Sequence, residues 1–197
     1  MASIKNFPKY RQFNNDTCGA SAFQAILAYY GIDFKENSVA KLSGTTGSGT
    51  PIEGIKRLAK IFGLKTYESQ MMTIEDLKRN IRNGIPTIIG IQAWAPKEVN
   101  IEKEWRQGHF VIPIKYSRNR MYFADPACIL TTYLTFTDLN KSWRDKDKYR
   151  GKWRKLDHYG IGFFGKKPFY NTTKAVRIGS NIDKEIRNYL YTDWAKK

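Results

Sequence analysis

The order of hydrophobic patterns predicts an α+β fold, with a helical half first and an antiparallel sheet second. Three observations carry that expectation. Up to Gly84 the apolar residues recur at helical spacing between cap and stop signals. After Gly84 they run in short stretches rich in β-branched and aromatic side chains, and no internal repeat interrupts the sequence. With 197 residues, 41% hydrophobic and 14% aromatic, the chain can bury the core of one ordinary domain, which excludes disorder along its whole length.

Asp16 or Thr17 can cap a first helix through Ala20, Phe23, Ile26, Leu27 and Tyr30, with Gly31 as its stop. A second helix begins at Thr50-Pro51-Ile52-Glu53, an N-cap, a proline at the first position and a glutamate closing a capping box; Gly63 ends it. Residues 64–67 are a short strand, and Thr73 opens a third helix through Ile74, Leu77 and Ile81. Residues 86–94, 109–116 and 120–125 then read as strands, the last two joined by a tight turn at 117–119. A strand over 131–135, a short helix over 136–143, a strand over 158–164 and a C-terminal helix over 183–194 complete the expectation.

Two segments stand apart. Residues 95–108 form a polar, charged excursion between two strands, the place for a lid or a recognition loop. Residues 141–155 carry eight Lys or Arg against two Asp and interleave Trp143, Tyr149 and Trp153. The expected division is a compact domain over 1–145 and a basic C-terminal extension over 146–197, packed on it.

Lys and Arg outnumber Asp and Glu by 34 to 18, a formal charge of +16 that attracts polyanions or acidic peptides. Only Cys18 and Cys128 occur, too few for a disulfide framework. Two cysteines and two histidines lie scattered without ligand spacing, so neither a metal nor a cofactor is expected. Residues 1–13 lack the apolar core of a signal peptide, and the longest apolar stretch, 85–95, falls short of the roughly 18 residues that span a bilayer. A cytoplasmic chain with no membrane span is the expectation.

The chemistry concentrates in two places. A cysteine at the first turn of a helix, as Cys18 is in Gln12-Phe-Asn-Asn-Asp-Thr-Cys18-Gly19-Ala20, meets the positive end of the dipole and unpaired N–H groups, which favour a thiolate. Gly19 and Ala20 are small enough for a substrate backbone to approach. Gln12 sits in the loop that feeds the helix, where its amide and the Cys18 N–H can form an oxyanion hole. Downstream, His109 opens an apolar strand in Gly108-His109-Phe110-Val111, and its antiparallel partner ends in Asp125-Pro126. A register that pairs 109 with 125 and 116 with 118 puts the carboxylate beside the imidazole, where it fixes the tautomer. Taken singly, a packed thiol, a strand-end histidine and an Asp-Pro turn are the bland alternatives. Cys128 reads as packed, and the Asp157-His158 pair lacks a nearby cysteine.

These motifs resemble the C39 peptidases, papain-like proteases that cut bacteriocin leader peptides after a double glycine. The shared pattern is Gln12 six residues before Cys18-Gly19, then Gly108-His109-Phe110-Val111, then Asp125-Pro126, within a likeness covering residues 9–144. The resemblance implies a papain-like cysteine protease fold, its helical half packed on the sheet. It implies Cys18 as nucleophile, His109 as general base and then acid, Asp125 as orienting carboxylate and Gln12 as oxyanion donor. Gly19, Ala20, Gly108 and Phe110 would line the substrate, an acidic leader peptide ending in small residues, with an export transporter as a partner. The chain would act as a stand-alone peptidase. Two other readings stay open: a papain-like amidase, deamidase or transglutaminase using the same triad, and a basic nucleic-acid-binding module with a relic site.

Overall fold

The computed structural model describes residues 2–94, 100–149 and 151–166. The helix expected over 183–194 lies outside them. Helix α1 (Cys18–Tyr29) buries small and apolar residues around most of its girth, with Phe23, Ile26 and Leu27 fully buried. A helix apolar around its girth belongs in the interior. It packs on the sheet, and α2 (Glu36–Ser43) and α3 (Ile52–Ile61) pack on it.

The second helix starts differently from the expectation. Pro51, not Thr50, is its N-cap, and no side chain caps it. Thr50 Oγ1 is engaged elsewhere, accepting from the Ala20 N–H at 3.1 Å and pairing with the Thr45 hydroxyl at 2.8 Å. The hydroxyl that local sequence assigns to a cap is spent instead on joining the loop before α3 to the first turn of α1. At α4 (Ile74–Arg82) the capping box does form, between Thr73 and Asp76.

The main sheet is antiparallel throughout, in the order β2 (Lys65–Ser69), β9 (Gly160–Phe164), β3 (Thr87–Gln92), β4 (Gly108–Tyr116), β5 (Arg120–Ala124), β6 (Thr131–Thr135). A short β1 (Ala2–Ser3) pairs with the far end of β4. Helix α5 (Phe136–Ser142) leads into a separate two-stranded ribbon, β7 (Arg144–Tyr149) and β8 (Lys152–Asp157). Strand β9, from the segment expected as a C-terminal extension over 146–197, pairs between β2 and β3. Phe163 and Ile161 of β9 are fully buried, and the Tyr30 hydroxyl donates to the Phe163 carbonyl at 2.7 Å.

The hairpin register is shifted from the one the turn suggests. Ile112 pairs with Ala124 and Pro113 with Phe123, and a bulge after Pro113 moves the pairing to Lys115 with Tyr122. Proline has no N–H to give the ladder, and a bulge absorbs that loss. The observed pairing places Asp125 diagonally across from His109 instead of directly opposite. A two-residue offset keeps both side chains on one face, within reach of each other.

Candidate active site

Cys18 is the first residue of α1 and is buried. The Thr17 side chain does not cap the helix. Its hydroxyl turns back to Asn14, donating to the carbonyl at 3.2 Å and accepting from the N–H at 3.3 Å. Among the described residues nothing accepts from the Cys18 and Gly19 N–H groups, so the helix start offers free donors.

His109 is buried on β4 and its Nε2 lies 2.7 Å from Asp125 Oδ1. The Cys18 side chain also acts on the imidazole, favouring its charged form. Burial pulls the imidazole pKa down, but the bonds to Asp125 and Cys18 outweigh it, and the group is pushed up to about 9. Trp94 stands edge-on to His109, ring centroids 4.5 Å apart, while over half of its own surface is open.

Asp125 is held on both oxygens. Besides His109, Oδ1 accepts from the Ala127 N–H at 2.9 Å, and Oδ2 accepts from the Thr132 hydroxyl at 3.0 Å. Burial raises its pKa, yet the bonds from His109, Ala127 and Thr132 prevail and hold it below the usual carboxylate value. The Gln12 backbone N–H donates to the Pro126 carbonyl at 2.8 Å, tying the loop before α1 to the Asp125 turn. The Gln12 amide N–H donates to the Asn14 carbonyl at 2.6 Å, and among the described residues its buried Oε1 has no partner.

A cleft of about 1050 Å³ runs past this cluster. Gln12, Cys18, Gly108 and Phe110 line it, together with the 46–51 loop, Trp94 and Trp105. Gly19 and Ala20 do not; both are buried under the first turn, with Thr50 and Phe110 against Gly19. A smaller cavity of about 390 Å³ reaches His109, Asp125 and Thr132, and Trp94 borders both.

The remaining candidates separate from the cluster. The Cys128 thiol faces the Leu130 carbonyl at 3.7 Å. His158 pairs with Asp157 at 2.8 Å and packs on Trp143. From the 95–108 excursion, residues 100–107 hold a 3-10 turn (Ile101–Lys103) and set Trp105 on the cleft wall, over Arg144 and Lys155.

Sequence reasoning missed Trp94, Thr132, Asp145 and Asp147. Asp145 is 7% exposed on the inner face of β7, and its carboxyl presses on the backbone of β3 and β4. A Cβ at Gly108 would stand 2.1 Å from Asp145 Oδ1, so glycine beside His109 is a requirement of close approach. The sequence signal was the alternation Arg144-Asp145-Lys146-Asp147-Lys148, which is amphipathic in charge instead of hydropathy.

The model of the Peptidase_C39 like family matches residues 4–161. Over 133 residues the chain is 24% identical to the pediocin PA-1 transport/processing ATP-binding protein PedD of Pediococcus acidilactici, covering 67% of this chain and 17% of that protein. It is 27% identical over 124 residues to the lactococcin-G-processing and transport ATP-binding protein LagD of Lactococcus lactis subsp. lactis, covering 60% and 15%. The chain thus spans about a sixth of the length of these relatives. Among solved structures, a C39-like peptidase from Bacillus anthracis superposes with a TM-score of 0.65 at 17% identity, over 85% of this chain and 98% of the other. A double glycine motif protease from an AMS/PCAT transporter, solved with its leader peptide, superposes at 0.57 and 17% identity, over 83% and 97%. The fold is that of C39 peptidase domains, α+β and papain-like. Among the described residues no helix is long and apolar enough to cross a membrane.

Proposed function

The chain belongs to the Peptidase_C39 like family of cysteine peptidases, and from that premise we propose that it cuts a leader-type peptide after small residues, a Gly-Gly pair first among them. The observation that carries the reading is His109 held between Cys18 and Asp125, with free N–H groups at the start of α1 beside the thiol. The likeness to a protease solved with a leader peptide supports the substrate class. The 197-residue chain alone is proposed to suffice for cleavage, with an export transporter as its setting, and the +16 charge favours encounter with an acidic leader.

In this mechanism the Cys18 sulfur attacks the carbonyl carbon after the small residues. The oxyanion is received by the Cys18 N–H and by the second N–H of the Gln12 amide, the first being bonded to Asn14. His109, protonated and oriented by Asp125, gives its proton to the leaving amine as the C–N bond breaks. A water, deprotonated by His109, then cleaves the thioester and frees the thiol. Trp94 shields the imidazole face while this proton moves.

The test is mass spectrometry of a Gly-Gly leader-peptide panel incubated with wild type and with Cys18→Ala. Cleavage after glycine by wild type alone supports the reading. A side chain changed by about one dalton with no cut backbone would assign the same triad to deamidation.

A further inference from the structure

The inner wall of the cleft carries two carboxyls that the proposed reaction does not use. Strand alternation puts Asp145 and Asp147 on the buried face of β7, while Lys146 and Lys148 point outward. Both aspartates line the cleft that holds Cys18. Asp147 is answered: Arg154 donates to its Oδ2 at 3.0 Å, and the Ile52 N–H approaches Oδ1 at 3.4 Å. Asp145 is not. Its Oδ1 accepts from the N–H of its own neighbour Lys146 at 2.8 Å, and its Oδ2 accepts from no described residue. A side chain more than nine-tenths buried, with one oxygen that accepts from no described residue, thus lines the cleft that holds Cys18.

The nearby cations do not supply that donor. Arg154 is bound to Asp147 and Glu53, and Arg106 to Glu104. Lys146 reaches over the Trp153 ring. Glycines at 90 and 108 leave the room into which the carboxyl sinks, right against the strand that carries His109. None of these described cations supplies the donor, and solvent or a substrate group in the cleft can reach the oxygen.

We propose that Asp145, backed by Asp147, is a subsite that takes a basic side chain of the substrate, a lysine or arginine a few residues from the cut. The inference rests on the reading of the cleft as a peptide site. An N–H-rich cation would complete the Oδ2 acceptor and neutralise the like-charged pair of aspartates in one contact. The substrate then carries a Gly-Gly pair at the thiol and a positive charge beside it, within a peptide whose remaining charge is free to be acidic.

The experiment uses the full chain and peptides with Gly-Gly before the cut, in which lysine or uncharged norleucine is moved along both sides one position at a time. At one position lysine is expected to exceed norleucine about tenfold in kcat/KM, a ratio that collapses in Asp145→Asn. The same pairs are titrated against Cys18→Ala, where the preference reads out as affinity without cleavage. If wild type cuts nothing but Cys18→Ala still prefers the lysine peptide, the subsite stands and the peptidase reading falls. If peptides are cut but no position favours lysine, or the preference survives in Asp145→Asn, the subsite is wrong.

Should Asp145→Asn fail to fold, pH decides in the unaltered chain. Among the described residues, Asp147 and Lys146 on its own strand and His109 on β4 are the charged groups that act most on Asp145. Ionisations that act on both peptides alike cancel in the lysine-to-norleucine ratio, so a ratio that drops as Asp145 is protonated supports the subsite. A ratio flat with pH overturns it.

Discussion

Asp125 and Asp145 are both buried, both within the electrostatic reach of His109, and opposite in charge behaviour. Asp125 is the less buried, with 14% of its side chain open, and accepts three hydrogen bonds. Its pKa lies below the ordinary value despite burial. Asp145 accepts one bond, from a neighbouring backbone N–H, and burial, with Asp147 adding to it, pushes it up to about 7. Donor number thus decides whether a sequestered carboxyl stays ionised, more than depth does. One aspartate has both oxygens answered by the fold, one of them by the His109 imidazole. The other is left open, and an open acceptor on a cleft wall is a place for a ligand.

The largest effect should come from the finished site. Asp125→Asn removes the carboxylate that holds the imidazolium, and kcat/KM should fall on the order of a hundredfold or more. The His109 pKa must drop from about 9, so the alkaline limb of the pH profile moves to lower pH. A limb that stays in place would break the assignment of Asp125 as the main orienting group.

Next in size is Gly108→Ala, whose Cβ cannot coexist with Asp145 Oδ1 at 2.1 Å. A shift of β4 carries His109 with it, and a loss of about tenfold or more in kcat/KM is expected. In an Asp145→Ala background the same change should cost much less, a coupling that a double-mutant cycle reads. Additive losses would mean that the two positions do not press on each other.

Asp145→Asn should stabilise the protein at alkaline pH. The folded pKa of about 7 lies above the unfolded value of 3.8, so between them the native state binds more protons and stability falls as pH rises. The gain from asparagine should be absent near pH 4 and reach roughly 2–4 kcal/mol by pH 8, taking about 1.4 kcal/mol per pKa unit as an upper guide. Thermal melts at the two pH values check it; an equal shift at both would contradict the open-acceptor account. The smallest effect is at Thr132→Val, which removes one of three donors to Asp125. A loss of about threefold to tenfold in kcat/KM with a small acidward move of the alkaline limb is expected.

The finished site was legible in the sequence and the open one was not, for physical reasons. Cys18 follows a cap signal, and His109 and Asp125 terminate apolar strands, so local pattern and pairing bring them together. Even a misjudged register preserved the contact, since an offset of two keeps the face. The ribbon of β7 and β8 buries aspartates instead of aliphatics on much of its inner face, so hydropathy carried no period-two signal. Helix α2 buries only Val39 and Ser43 and has lysine at its N-cap, which leaves neither cap nor stripe to detect. The place of β9 in the middle of the sheet is a long-range pairing of residues 160–164 with 65–69 and 87–89, beyond the reach of any local pattern.

The most direct test of the central claim is the rate at which iodoacetamide alkylates each cysteine near neutral pH, read by peptide mass spectrometry in wild type and His109→Ala. The account predicts that Cys18, although buried, is labelled far faster than the more exposed Cys128, and that His109→Ala removes most of this advantage. Equal rates at the two cysteines, or a Cys18 rate indifferent to His109, would contradict a paired thiol and imidazole at the start of α1.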